Sequence, residues 1–444
     1  MKPQAARRMP SDDQQRSEPL SPSAGTRTLV PISPRTLLVL AIFAVVFITL
    51  QVSSYRQKSA TWDEPIHLTM GYAALTRSDY RVDPEHPPFL RMWAALPLLF
   101  IDGIELDTTS IEAAPPNRWA LGDLIDFSRH FLYSQNADQL LYAARFMIVL
   151  LGVALGVLLF SWVNQWSGFW TATAVLALYT VEPNLSAHSS LVTTDFGLTC
   201  FAFGAVYFLW RSSRSPSAFN LAGVILFIAL AAVSKYTALV LGGIVPLLLG
   251  WSVLKDRSMS LRTASSILAL AAVTSLLAVW AAYGFRYPPS DSPEWLFRLD
   301  QVQEVLQRVP GLTALIETID GAHLVPNALS QGLLLGQAKA QGRSAFLMGM
   351  YGTGWWYYFP AAFLMKTPIA LLLLALAGAV VSVRGRSPGV VFAVVPIVVF
   401  LGAAMISTMN SGVRHVLPIY PFGLVLAGVG FKELVDRFKD TGGV

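Results

Sequence analysis

Runs of roughly 17 to 25 apolar residues recur along this chain, and that is the length a helix needs to cross the hydrocarbon of a bilayer. Inside hydrocarbon every backbone N–H and C=O must find a partner within the protein, so such runs fold as helices or as strands of a closed barrel. A barrel would read as short alternating segments, which this chain lacks. The sequence therefore predicts an all-α polytopic membrane protein. Composition agrees, since only 13% of the residues are charged, against about 25% in a soluble domain.

Ten runs have the character of spans: 36–52, 140–163, 169–187, 196–210, 221–233, 237–251, 263–283, 359–381, 389–406 and 416–431. About ten transmembrane helices are expected, with room for an eleventh. The two runs around Lys235 are short and read as a broken or re-entrant pair. Residues 87–101 are apolar but short and are interrupted by Pro97, which suits a helix lying along the interface. Arg91 and Trp93 are placed to anchor it there. Residues 1–35, rich in Ser, Pro, Arg and Gln, read as a disordered cytoplasmic N-terminus. They are too polar and too long for a cleaved signal peptide. Residues 36–432 form the membrane domain, with large polar loops at 53–139 and 284–357, and 433–444 form a cytoplasmic tail.

Basic residues set the orientation. Lys2, Arg7, Arg8, Arg211, Arg214, Lys255, Arg257, Arg262, Arg384, Arg386, Lys432, Arg437 and Lys439 fall on one side of this scheme, which the positive-inside rule makes cytoplasmic. Arg56 and Lys58 oppose it. Both large loops then face outward, and residues 62–138 hold twelve Asp and Glu against five Arg. All six histidines (His67, His86, His130, His188, His323 and His415) fall in outer loops or at outer helix ends. The net charge of +5 forms no stripe of the kind nucleic acid requires. Cys200, the only cysteine, excludes an internal disulfide and reads as a small buried hydrophobe.

The candidate chemistry lies on that outer face. Trp62-Asp63-Glu64 follows the first span. Its neighbouring carboxylates can point different ways, one toward substrate and one toward a basic partner. Glu85-His86-Pro87-Pro88 precedes a short helix, whose N-terminus favours an anion such as phosphate, and Arg91 lies one turn on. Thr193-Thr194-Asp195 opens a span; helix capping is the ordinary role there, while an acid at a membrane edge is also a functional candidate. Lys235 and the pair Arg414-His415 end outer helices, where Lys and Arg suit phosphate oxygens. Neither a P-loop nor a convincing GxGxxG is present, and no His, Cys or acid spacing commands a metal. A transferase on this face would need a donor other than a cytosolic nucleotide. A polyprenyl-phosphate sugar fits, because its lipid stays in the bilayer and its phosphate sits at the interface.

These residues together resemble the protein O-mannosyltransferase family and its bacterial relatives, including the aminoarabinose transferases, all of the GT-C glycosyltransferase class. The resemblance rests on Trp62-Asp63-Glu64, His86-Pro87-Pro88-Phe89-Leu90-Arg91, Ala187-His188-Ser189, Leu191-Val192-Thr193-Thr194-Asp195 and Ser234-Lys235-Tyr236. Gly354 to Pro360, Lys366-Thr367-Pro368 and Arg414-His415-Val416-Leu417-Pro418 extend it, so that it covers about 36–432. It implies a GT-C fold and a polyprenyl-phosphate sugar donor, with the catalytic acid matched by Asp63. Arg91 stands where many members have Lys, and His86 where the aminoarabinose branch has Lys. The β-trefoil of the eukaryotic members and the extra C-terminal domain of the aminoarabinose enzymes have no counterpart here, so the acceptor, whether protein, lipid or glycan, cannot be inherited from either.

The expected activity is transfer of the sugar with inversion, at the outer face of the bacterial cytoplasmic membrane. Asp63 would serve as base, with Glu64 and Asp195 orienting it or the acceptor. His86, Arg91, Lys235, Arg414 and His415 would hold the carrier phosphate, and a divalent cation is allowed but not required. A membrane transporter is the rival class, because broken helices near Lys235 are also a transporter feature.

Overall fold

The structure is a computed structural model that describes residues 33–113, 121–298, 310–340, 344–385 and 387–441. The N-terminal stretch with Lys2, Arg7 and Arg8, together with Arg386, lies outside the described residues. In chain order the helices are α1 (Pro34–Tyr55), α2 (Glu64–Arg77), α3 (Phe89–Ala95), α4 (Thr109–Ala113), α5 (Leu121–Tyr133) and α6 (Ala137–Ser167). There follow α7 (Phe169–Val181), α8 (Pro183–His188), α9 (Thr194–Arg214), α10 (Ala218–Ala232), α11 (Leu241–Leu254) and α12 (Leu261–Ala282). The second polar loop contributes Pro310–Gly321, Asn327–Ala340 and a small hairpin, before the closing helices Tyr358–Lys366, Ile369–Arg384, Val391–Ile406 and Ile419–Thr441.

Each apolar run expected to span contains a helix. Among the described residues four helical segments are long and apolar enough to cross a membrane: Pro34–Tyr55, Ala137–Ser167, Tyr236–Leu254 and Leu261–Ala282. A fifth is gained if Tyr358–Lys366 and Ile369–Arg384, bent by 111°, count as one span. The other runs form shorter or more polar helices. α1 starts at a Ser33 cap with Pro34 in its first turn, and α6 starts at an Asn136 cap; both are ordinary helix-starting chemistry.

Two expected spans prove to be broken, each at a proline. Run 169–187 splits at Pro183, and the Glu182 carboxylate caps the new helix by accepting from Leu185 N at 2.6 Å. Run 359–381 splits at Thr367-Pro368, where Thr367 is extended because Pro disfavours helix in the residue before it. Around Lys235 the chain is extended and then forms a 3-10 turn, Tyr236–Val240, before α11, as the short flanking runs suggested. Among the described residues one strand pair departs from all-helix: Ala345–Leu347 pairs antiparallel with Met350–Gly352. Its two-residue turn, Met348-Gly349, has positive φ at both positions, the geometry that matches strand twist.

α9 sits at the centre. Its side chains are buried around the whole circumference, as an all-round apolar helix must be. Aromatic rings fill the space beside it, with Trp162 of α6 at 5.2 Å from Phe203 and 5.4 Å from Trp210. Ile369–Arg384 lies against the last helix through glycines: a Cβ on Gly378 would meet Leu426 O at 1.9 Å, and one on Gly430 would meet Leu374 O at 2.2 Å. Backbones this close need small residues at the crossing. Gly430→Leu is therefore expected to destabilise the protein by about 1–3 kcal/mol, read as a lower melting temperature in detergent. Gly402→Leu, where a side chain meets nothing within 4 Å, should change it little.

Candidate active site

The Asp-Glu pair divides at the start of α2. Glu64 turns inward and is fully buried. Its carboxylate accepts from Arg145 Nε at 2.8 Å and Nη2 at 2.6 Å, from Thr61 N at 2.8 Å and from Val192 N at 3.1 Å. Arg145, also fully buried, spends its remaining N–H groups on the carbonyls of Tyr55, Lys58 and Ser59. One ion pair thereby ties the end of α1, the start of α2, the middle of α6 and the loop before α9. Glu64 is sealed from any ligand, so the expectation that it orients an acceptor is corrected; its hold on Asp63 runs through the start of α2. Arg145 was overlooked although an arginine inside an apolar run is itself a signal.

Arg91 is likewise redirected. It was expected to snorkel or to bind carrier phosphate, yet it is 1% exposed. Its Nη1 donates to Asp83 O at 2.7 Å, its Nη2 pairs with the Asp83 carboxylate, and its Nε donates to His67 Nδ1 at 3.0 Å. Three of its five N–H groups are held by protein acceptors, and its side chain is buried and lines neither cavity of the site, so it is not placed to meet a ligand. The short helix after Pro87-Pro88 packs one face into the body, and Trp93 Nε1 donates to Met147 O at 2.8 Å.

Asp63 faces the other way from Glu64. It lines a cavity of about 730 Å³ together with His86, Asp195, Lys235, Arg414 and His415. Six of the eight residues singled out from sequence thus meet at one cavity, brought from five separate parts of the chain. Trp62, His67, Asp83, Glu85, Tyr236 and Lys339 share its wall. The facing charges are paired: Asp63 with Arg414, Asp195 with Lys235, and Glu85 with Lys339 at 2.7 Å. A second cavity of about 410 Å³, lined in part by His188 and Thr193, shares Trp62, Asp63 and Arg414 with the first. The Asp63–Arg414 pair therefore borders both.

Local structure explains the placement. Arg414 and His415 ride on a 3-10 turn, Val413–Val416, entered through Gly412 at φ 75°. The loop before it is pinned where Asn410 Oδ1 accepts from Trp355 N at 2.8 Å and Tyr358 Oη accepts from Gly412 N at 3.1 Å. The aromatic stretch at 354–360 thus serves to aim Arg414. The Tyr236 hydroxyl bridges the carbonyls of Pro84 and Leu329, at 3.0 and 2.9 Å, and so fixes the proline loop against Asn327–Ala340, which carries Lys339. No motif pointed to Lys339, which comes from the second loop.

Electrostatics separate the groups. Burial pushes the Asp63 carboxyl up, but Arg414 and then His67 outweigh it and hold the group below the usual carboxylate range. Burial and the neighbouring Arg91 push His67 down to about 4, and burial, Arg91 and Lys235 push His86 well below its ordinary value. Both imidazoles are neutral near pH 7, so His86 is a hydrogen-bonding group here and not a cation. Its Nδ1 is buried without a partner. Among the described residues no group of three or more His, Cys, Asp or Glu stands where it could hold a metal ion.

No protein-family model and no curated protein sequence matches the chain. Solved structures do. The apo oligosaccharyltransferase of Archaeoglobus fulgidus superposes over 90% of this chain and 50% of its own, with TM-score 0.56 and 12% identity. ArnT from Cupriavidus metallidurans bound to undecaprenyl phosphate superposes over 89% and 60%, with TM-score 0.54 and 15% identity. The fold is that of the GT-C membrane glycosyltransferases. The archaeal enzyme tethered to an acceptor peptide with the NVT sequon also matches, over 90% and 50%, with TM-score 0.52 and 11% identity. The chain spans half to three-fifths of the length of these GT-C structures.

The split of the acid pair has a direct consequence. Glu64→Gln should cost about 3–5 kcal/mol, because it leaves Arg145 buried and unmatched. Asp63→Asn should cost about 1 kcal/mol or less, since its pair is partly exposed. Thermal unfolding of the two purified variants measures the difference.

Proposed function

We propose that this protein is an inverting glycosyltransferase that moves a sugar from a polyprenyl-phosphate carrier to an acceptor hydroxyl at the extracytoplasmic face of the membrane. The observation that carries the reading is the cavity wall itself. It sets a carboxylate, Asp63, beside Arg414, Lys235 and Lys339 in a fold whose structural neighbours include a protein holding undecaprenyl phosphate. The resemblance to the protein O-mannosyltransferases supports the same reading, and undecaprenyl phosphate is the carrier proposed for a bacterial membrane.

The reaction forms a bond from the acceptor oxygen to the anomeric carbon as the bond from that carbon to the phosphate oxygen breaks. The electron pair leaves with the phosphate, and the acceptor proton goes to Asp63. A base in that position contributes typically about 10² to 10⁴ in rate. The departing phosphate needs cations more than a proton, which Arg414 and Lys235 supply. Each is matched by a carboxylate, and a phosphate that takes the two cations releases Asp63 and Asp195 from their partners. When phosphate draws Arg414 away, Asp63 loses the cation that depresses its pKa and becomes a stronger base. Asp195 then serves to hold Lys235 in register before the donor arrives. His86 and His415 border the same space as polar contacts. No step here is routed through a metal ion.

Asp63→Asn should keep undecaprenyl-phosphate binding and lose transfer by about 10² or more. Near wild-type turnover of a radiolabelled donor in that variant would remove Asp63 from the base role. The pH profile gives a second check. Because Arg414 lowers the Asp63 pKa, the base stays ionised to lower pH in the free enzyme. The acid limb of kcat/KM should lie below the ordinary carboxylate range and move up in Arg414→Gln. The kcat profile, which reports the bound complex, should show its limb at higher pH than kcat/KM does in the wild type. Coincident limbs would contradict the exchange of Arg414 from carboxylate to phosphate.

A further inference from the structure

His67 belongs to no motif that the transfer mechanism uses, yet it lines the cavity one helical turn after Asp63, its backbone N–H donating to Asp63 O at 3.0 Å. Positions four apart lie on one helix face, with Cβ atoms about 5–6 Å apart, so whatever approaches Asp63 also approaches His67. Behind the ring, Arg91 Nε donates to Nδ1 at 3.0 Å. A guanidinium does not give up its protons, so Nδ1 must offer a lone pair and the ring proton resides on Nε2. Arg91 in turn is held in place: each of its terminal nitrogens donates to Asp83, and Arg91, Asp83 and His67 are all buried. The backbones of α2 and α3 also touch there, since a Cβ on Gly71 would fall 2.0 Å from Arg91 O. That glycine is one turn beyond His67 and lets Arg91 reach the ring.

We propose that His67 is a fixed, neutral hydrogen-bond donor to the uncharged sugar of the lipid-linked donor, locked in that form by the Asp83–Arg91 pair behind it. The proposal rests on the transferase reading. The partner is the sugar and not the phosphate because the cavity provides Lys235 and Arg414 for the anion, whereas His67 stands beside the carboxylate that meets the anomeric centre. The lock also bars His67 from acting as a base, as its free nitrogen already holds Arg91. The charged groups around it agree: Arg91 opposes a second ring proton, and burial outweighs the attraction of Asp63, Asp83 and Asp195.

Two measurements on the full chain test this. The first needs no substrate: NMR of ¹⁵N-histidine-labelled protein in nanodiscs, with the His67 signals assigned by their loss in His67→Gln. The expected result is a neutral ring protonated at Nε2 throughout pH 5 to 8, and a ring that titrates within that window in Arg91→Met. A wild-type ring that gains a proton in the window, or carries its proton on Nδ1, overturns the lock. The second is binding of undecaprenyl phosphate and of its hexosyl, pentosyl and amino-sugar esters. His67→Phe should weaken the best-bound sugar ester by roughly three- to ten-fold, the worth of one hydrogen bond, and leave undecaprenyl phosphate unchanged. His67→Gln, which keeps a donor near Nε2, should recover most of the loss. Equal weakening of carrier and ester, or of neither, overturns the assignment to the sugar. Failure of the wild type to bind any of these lipids sinks the transferase reading and this ligand with it, while the NMR result stands by itself.

Discussion

The fully buried pair of Glu64 and Arg145 fixes everything downstream of the first helix. An unmatched charge at that depth is expensive, so the chain must deliver both partners and satisfy every remaining donor. It does so by drawing the carbonyls of Tyr55, Lys58 and Ser59 around the guanidinium and the Val192 amide onto the carboxylate. Those contacts settle where α2 begins, and hence which way Asp63, the residue just before it, faces. A second buried pair, Arg91 with Asp83, performs the same service for the proline loop and α3. The positions of Asp63 and His67 follow from these two anchors, while Arg414 and Lys339 depend on the contacts of the later loops.

The remaining ion pairs differ in kind. Asp63–Arg414 and Glu85–Lys339 are partly exposed and open onto the cavity, and Asp195–Lys235, although buried, also lines it. A pair with one side on a cavity is able to exchange its anion for another. The Glu64–Arg145 pair has no such path, and in the Asp83–Arg91 pair the cation is buried although Asp83 reaches the cavity wall. Rigid anchors behind exchangeable pairs give a site whose cations are already positioned for an incoming phosphate.

Much of this was legible in the sequence, because hydrocarbon leaves a helix few alternatives and charges at run ends are conspicuous. The helical runs, the break at Lys235 and the convergence of Asp63, His86, Asp195, Lys235, Arg414 and His415 on one cavity all follow from residues that are unusual where they stand. The misses share a cause. Glu64 and Arg91 carry the same chemistry as the residues that do face the cavity, and only the direction of a side chain separates the two groups. Direction depends on partners distant in the chain: Arg145 lies 81 residues from Glu64, and Lys339 lies 254 from Glu85. No local spacing encodes such pairs. The breaks at Pro183 and Pro368 were marked by proline itself but hidden by the continuous hydrophobicity around them.

The central claim is that one cavity receives the carrier phosphate between Arg414 and Lys235 while Asp63 faces the transferring carbon. A cryo-electron-microscopy structure of the protein in nanodiscs with undecaprenyl phosphate tests it most directly. The account requires phosphate oxygens within about 4 Å of the Arg414 and Lys235 nitrogens, the usual reach of an ion pair, with Glu64 and Arg91 still holding Arg145 and Asp83. Phosphate seated on Arg91, or bound away from the cavity that Asp63 lines, would contradict it.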